Sequence, residues 1–275
     1  MKINEIETPA LILDKQTFEY NLERMDQLLE GTTMKLRPHY KSNKCAEIAK
    51  LQIKRGAAGI TCAKLGEAED LANAGIENIL IANQVVQPSK VKRVAELAKD
   101  HYIIICVDDK DNIKALSDAA VEAGSQIHVL VEYEVGMKRC GVDTYDEFIE
   151  LAELIDKSEG LIFEGIQAYG GHMAHEHSLE TRIAETNRIE NEVRELKALL
   201  EAKGLKVKEV GGGSTGTIEQ KAKDTVYTDI QAGSYIFMDN AYGQLHLGFK
   251  NALFVLTTVI STKKDRVVTD TGVKS

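Results

Sequence analysis

Hydrophobic positions along this chain follow two periods that alternate. Short runs rich in isoleucine, valine and leucine read as strands: "LRPHY", "AGITCA", "NILIAN", "YIIICVD", "QIHVLVEY", "LIFEGIQAY", "KVKEVGG" and "YTDIQAGSY", eight in all between Met34 and Tyr235. Between them apolar residues recur every three or four positions, the spacing of a helix with one buried face. Ile48 and Leu51 share such a face, as do Leu65, Ala68 and Leu71. The next sets are Val91, Val94 and Leu97, then Ile113, Leu116 and Ala120, then Phe148, Leu151 and Ile155. Most of these segments stop at a glycine, and the longest runs to Gly204. Strand and helix in strict alternation predict parallel strands joined by crossover helices. A count of eight selects the closed α/β barrel, the (β/α)8 or TIM barrel, over a doubly wound sheet. The doubly wound alternative also calls for a G-x-G-x-x-G turn after its first strand, and the chain has none there.

Two segments fall outside that pattern. "TPALILD" (Thr8 to Asp14) leads into a helix through Phe18, Leu22, Met25 and Leu29, with Asp14 as its N-cap. After Tyr242, "NALFVLTTVISTKKDRVVTDTGVKS" is rich in β-branched residues and lacks helical period, as antiparallel strands are. The expected organisation is a barrel over 15–240, with 1–14 and 241–275 as strands of a β domain that is incomplete in this chain.

Composition narrows the function. With 275 residues, 43% of them apolar, the chain can bury a full core. A net charge of −9, no tryptophan and no basic run exclude nucleic acid as the main partner, while leaving room for a small anion in a local pocket. The longest apolar run, "ALFVLTTVI", is too short to span a bilayer, and the N-terminus has no signal pattern. A cytoplasmic protein with no membrane partner is expected. Cys45, Cys62, Cys106 and Cys140 have no paired or C-x-x-C spacing, which predicts buried, reduced thiols rather than structural zinc.

In such a barrel chemistry sits at the C-terminal ends of the strands. After the seventh strand, "GGGSTGT" combines consecutive small residues with hydroxyls, a pattern that makes an anion-binding nest of backbone N–H groups. The first strand ends in "RPHYKSNK". There Lys41 is a candidate nucleophile, with Arg37 and Lys44 expected to depress its amine. A nucleophilic lysine and a phosphate nest in one barrel suggest pyridoxal phosphate chemistry. Arg139 in "GMKRCG" offers a fork suited to an acidic oxygen. "QAYGGHMAHEH" crowds Tyr169, His172, His175 and His177 into one loop, where one histidine can serve as an acid or base.

Taken together, "TPALILD", "RPHYKSNK", "CVDD", "GMKRCGV", "GIQAYGGHMAH", "GGGSTGT", "QAGSYIFMDNAYG" and "NALFVLTTVIS" resemble the D-threonine aldolase and D-serine dehydratase family. These are alanine racemase-like (fold-type III) pyridoxal-phosphate enzymes, and within them the chain resembles the 3-hydroxy-D-aspartate aldolases. The resemblance implies Lys41 as the Schiff-base lysine and Arg139 as the donor to the cofactor's phenolic oxygen, with Tyr169 beside its ring as a further catalytic and cofactor-binding residue and His39 as another cofactor-binding residue. It places the phosphate at Gly213, Ser214, Thr215, Gly216 and Thr217, with Ser234 and Tyr235. His175 becomes the proton-transfer group at the substrate hydroxyl. Asn43 stands where the family usually has histidine, and Ser214 where it usually has glycine. The family's divalent metal (Mg, Mn or Zn) is expected in the full-length protein, on ligands downstream of Ser275, so none of the residues here is assigned to it.

The implied activity is cleavage of a D-3-hydroxy amino acid, D-threonine or 3-hydroxy-D-aspartate, to glycine plus an aldehyde or glyoxylate, by a homodimer. The alternatives are a D-serine or D-3-hydroxyaspartate dehydratase on the same barrel, and a barrel that binds the cofactor without catalysis.

Overall fold

The structure is a computed structural model and describes residues 2–220 and 225–272. In chain order the elements are β1 (Ala10–Leu13), α1 (Lys15–Leu29), β2 (Lys35–Leu36), α2 (Ala46–Lys54), β3 (Ile60–Cys62), α3 (Leu65–Asn73), β4 (Asn78–Ile81), α4 (Pro88–Leu97), β5 (Tyr102–Val107) and α5 (Lys110–Ala123). They continue with β6 (Ile127–Glu132), α6 (Tyr145–Lys157), β7 (Leu161–Ala168), α7 (Leu179–Ala202), β8 (Glu209–Gly212), β9 (Asp229–Ile230), α8 (Asn240–Gly243), β10 (Leu253–Leu256), β11 (Val259–Thr262) and β12 (Val267–Thr269). The chain divides into one unit of Leu28–Gly233 and another of Met1–Gln27 with Ser234–Ser275. Met1 and 273–275, the outer ends of the segments assigned to the β domain, lie outside the described residues.

In the larger unit, eight of the described strands form one parallel sheet in the order β2-β9-β8-β7-β6-β5-β4-β3. The ring closes where β2 continues past its last ladder pair. Thr61 N donates to Pro38 O at 2.9 Å, Ala58 N donates to Leu36 O at 2.8 Å, and His39 bridges Thr61 in parallel. Strands covered on both faces need apolar residues at every position, so Ile103, Ile104, Ile105, Cys106 and Val107 are all fully buried. Leu80, Ile104, Cys106 and Leu130 cluster with Ala82. Ala82 also lines the cavity beside Lys41, so this face is the barrel interior. Each such side chain contributes about 1.5–3 kcal/mol by leaving water.

Helices α5, α6 and α7 begin where short polar side chains take over unpaired backbone donors. Asp109 caps α5 by accepting from Asp111 N at 2.8 Å and Asn112 N at 3.1 Å. The inward stripe differs from the sequence expectation in three helices. In α2 Ala49 and Gln52 are buried while Ile48 and Leu51 are half-buried, and in α4 and α6 Leu97 and Leu151 are half-buried beside fully buried Ala95 and Ala152. A short helix on a curved sheet presents its small residues at the line of closest approach, which displaces the larger ones to the flanks.

In the smaller unit β1 pairs antiparallel with β10, Leu11 opposite Val255, and β11 pairs antiparallel with β12. Asp14 accepts from Thr17 N at 2.8 Å at the start of α1. Asn21 Nδ2 donates to Lys250 O at 2.7 Å and to Ile236 O at 3.2 Å.

Candidate active site

The chain after β2 runs from buried Arg37 and His39 to Lys41, which stands in the 3-10 turn Tyr40–Ser42. Arg37 is 2% exposed. Its Nε donates to Asp229 at 2.7 Å, its Nη2 to Glu209 at 2.7 Å and its Nη1 to Asn78 at 2.6 Å. Those partners open β9, β8 and β4, so Arg37 plugs the N-terminal floor of the barrel. Burial alone would lower its pKa, but Asp229 and Glu209 outweigh it and hold the guanidinium above its ordinary value. The expectation that Arg37 depresses Lys41 is therefore corrected, because its charge is taken up at the opposite end of the strand. Lys44 is likewise turned away, on left-handed backbone (φ 45°), with its Nζ 3.2 Å from Glu67.

Lys41 is nonetheless held below the ordinary lysine range. Burial among the protein atoms of the mouth is the largest cause, the Arg139 charge adds to it, and Glu67 opposes both. His39, two residues below, stays neutral. Burial, then Lys41 and Arg139, push it down to about 3. Its Nδ1 accepts from Lys41 N at 3.3 Å, which fixes the turn that presents the lysine and assigns the ring proton to Nε2. Asn43 completes this turn by accepting from Cys45 N at 3.0 Å.

One small cavity brings together His39, Lys41, Arg139 and Tyr169. The Tyr169 ring lies 5.9 Å from Lys41 Nζ and 5.7 Å from Arg139 Cζ, and burial raises its phenol pKa. Arg139 Nη2 is 3.3 Å from Oε1 of buried Glu132, whose other oxygen accepts from Gln84 Nε2 at 2.6 Å. Burial raises the Glu132 pKa. Below them Gln167 and Gln231 exchange amide hydrogen bonds of 3.0 and 2.8 Å. They cross over Gly211, where a Cβ would lie 2.8 Å from Gln231 Nε2. Glu132, Gln84 and the glutamine pair were missed in the sequence. The available signal was parity: Gln167 is two residues before Tyr169 and Gln231 two after Asp229, so both point inward.

Replacing Arg139 by methionine is expected to raise the pH midpoint at which Lys41 is labelled by pyridoxal and cyanoborohydride, followed by peptide mass spectrometry. An unchanged midpoint would mean that burial alone sets the amine.

The glycine-rich loop after β8 closes on itself through two short-range hydrogen bonds. Gly213 takes φ 67°, and Ser214 is absent from the described non-glycine residues with positive φ, so serine fits there without strain. Ser214 N donates to Thr217 Oγ1 at 3.0 Å, and Thr217 N donates to Ser214 O at 3.1 Å. A Cβ on Gly216 would lie 2.6 Å from Ala174 O. Thr215 and Thr217 are buried, and the Ser214 hydroxyl is buried without a hydrogen-bond partner. A buried orphan hydroxyl in a loop of small residues fits an anion that brings acceptor oxygens.

Other candidates are placed as follows. His175 ends the 3-10 turn Gly171–His175 and is exposed, as is His177. Ser234 and Tyr235 open a 3-10 turn in the smaller unit, where the Tyr235 ring is fully buried 5.8 Å from Phe249. Asp108, at the end of the fourth barrel strand, accepts from Gly141 N at 2.9 Å. All four cysteines are free, but only Cys62 and Cys106 are fully buried; Cys45 and Cys140 sit in loops and are half-buried. Among the described residues no group of three or more His, Cys, Asp or Glu could hold a metal ion.

Lys41, an amine held below the ordinary lysine range, shares one cavity with Arg139 and Tyr169, an arrangement suited to an enzyme acting on carbonyl groups. The chain belongs to the family described as "Alanine racemase, N-terminal domain", whose profile matches residues 13–241. It is 42% identical to a D-threonine aldolase of Arthrobacter sp. over 98% of this chain and 73% of that protein. It is 38% identical to a 3-hydroxy-D-aspartate aldolase of Paracoccus denitrificans (strain Pd 1222) over 100% of this chain and 74% of that protein. The crystal structure of D-threonine aldolase from Filomicrobium marinum superposes with a TM-score of 0.91 at 38% identity, over 94% of this chain and 71% of that one.

Proposed function

We propose that this chain is a pyridoxal-phosphate-dependent carbon–carbon lyase acting on D-3-hydroxy amino acids. The observation that carries the reading is Lys41, an amine held below its ordinary range within one cavity with Arg139 and Tyr169. The residues present fit the cofactor: Lys41 would bond its aldehyde carbon, and Arg139 would donate to its phenolic oxygen. The loop Gly213–Thr217 would take its phosphate, supported by the orphan Ser214 hydroxyl. When bound, the cofactor supplies the electron sink for the pair released as the substrate Cα–Cβ bond breaks.

The chain's own residues do the rest. The Arg139 guanidinium is oriented by buried Glu132, which Gln84 holds in turn. His39 remains an uncharged acceptor and keeps the lysine turn in place. By the resemblance, His175 takes the proton from the substrate β-hydroxyl, the bond to Cα breaks, and the departing carbon leaves as an aldehyde. A proton added at Cα completes glycine.

The resemblance puts the divalent metal on ligands downstream of Ser275, so none of the described residues is assigned to it and no step is routed through one. The resemblance also supports a homodimer; no described helix is long and apolar enough to cross a membrane. A dehydratase is the second reading, and the dehydratases similar to this chain are more distant than the aldolases.

The test is product identity. Purified chain with pyridoxal phosphate and a divalent salt should convert D-threonine or 3-hydroxy-D-aspartate to glycine plus acetaldehyde or glyoxylate. Keto acid plus ammonia would favour the dehydratase, and no product from any D-3-hydroxy amino acid would overturn the lyase.

A further inference from the structure

The loops that carry Arg139 and Tyr169 are not held by the barrel strands alone. On helix α7, Arg188 grips both oxygens of Glu185, through Nε at 2.9 Å and Nη2 at 2.6 Å. The same Nη2 donates to Val135 O at 2.6 Å, in the loop that leads to Arg139. The Glu185 oxygen shared with Nη2 is also 3.1 Å from His172 Nε2, in the loop that follows Tyr169. One ion pair on a helix thus reaches both mouth loops.

The loops also press on each other where the clasp meets them. Gly136 has φ 117°, and a Cβ there would lie 3.2 Å from His172 Cε1 and 3.4 Å from Arg188 Nη2. A Cβ on Gly171 would lie 2.7 Å from Tyr169 Cε1 and 2.8 Å from the Met137 sulfur. The clasp carboxylate is charged throughout the neutral range: its bond to Arg188, foremost, and its bond to His172 outweigh burial and hold Glu185 at about 2.

We propose that Glu185, Arg188 and His172 form a positioning clasp that sets the separation of Arg139 and Tyr169 at the mouth of the barrel. This rests on the lyase reading for its functional meaning, while its structural content stands without it. The side chains are partly exposed, 42% for Arg188, 25% for Glu185 and 29% for His172, so the clasp adds little to global stability. Its contribution is geometric, and a misplacement of about 1 Å at a reacting centre costs on the order of 100-fold in rate.

The experiment compares Glu185→Gln, His172→Ala and His172→Gln in the full chain. In cofactor-free protein, Glu185→Gln and His172→Ala should speed backbone hydrogen exchange in peptides covering both 133–139 and 169–176. Exchange in 211–217 and the melting temperature should not change. In cofactor-loaded protein, kcat for aldehyde release should fall about 10- to 100-fold with a smaller change in KM. His172→Gln, whose amide nitrogen can replace Nε2, should recover most of both effects. Exchange confined to α7, a change in only one loop, or equal behaviour of His172→Ala and His172→Gln would overturn the clasp. Because exchange is measured without cofactor or substrate, an inactive wild-type chain would count against the lyase reading and leave the clasp to be decided by exchange.

Discussion

Lys41→Ala is expected to abolish covalent capture of pyridoxal phosphate and to lower lyase turnover by at least ~1,000-fold. Among the described residues Lys41 is the only lysine lining the cavity with Arg139 and Tyr169. Lys44, the nearest other lysine in sequence, is committed to Glu67 on left-handed backbone. Wild-type protein mixed with pyridoxal phosphate should develop visible absorbance, and borohydride should then leave a cofactor mass on the Lys41 peptide. The variant should show neither, with an unchanged melting temperature, because the lysine side chain reaches solvent and supports no core packing. A cofactor mass that persists at another site in Lys41→Ala would remove the centre of the functional proposal.

The second large effect belongs to the barrel floor. Arg37→Met should destabilise the fold by about 3–5 kcal/mol at neutral pH, because it leaves the buried Asp229 carboxylate without its counter-ion and buried Glu209 without its hydrogen-bond donor. Glu209 and Asp229 have side-chain exposures of 10% and 4%, too little for water to replace the guanidinium. For a chain of this size that corresponds to a loss of roughly 10 °C in melting temperature. A change within 2 °C would show that the floor tolerates unpaired charge.

The same cluster has a pH signature of definite sign. Burial, then the neighbouring Asp229, push Glu209 up to about 8, against the pull of Arg37. An unfolded glutamate titrates near ~4.3. Between those values the native state holds a proton that the unfolded state releases, so this group's contribution to stability falls as pH rises through that window. Asp229→Asn removes the like charge, so Glu209 should return toward its ordinary range and that slope should flatten. Calorimetric melting of both proteins from pH 5 to 9 reads the difference directly, and parallel curves would rule the account out.

The barrel was legible because its elements are locally determined. "YIIICV" is apolar throughout since both faces of β5 are covered, and the glycines and N-caps mark helix ends through backbone geometry that only a few residues satisfy. Lys41, Arg139 and the glycine–hydroxyl loop were also legible, because each occupies the C-terminal end of a barrel strand. His39 was expected at the cofactor; what the sequence did not show is that it is a neutral acceptor for the lysine turn.

What the sequence determined alone is the order of strands and helices and the residue types delivered to each strand end, since both follow from periodicity and from short-range backbone chemistry. What only the tertiary structure decided is which charges face one another. Arg37 looked like a neighbour of Lys41 in "RPHYKSNK", yet it is neutralised by Glu209 and Asp229, 172 and 192 residues away in sequence. The charge that does bear on Lys41 is Arg139, brought in by the loop after β6. Alternation along a strand separates adjacent side chains by height and face, while closure of the barrel joins residues remote in sequence, and electrostatic interaction depends on distance in space.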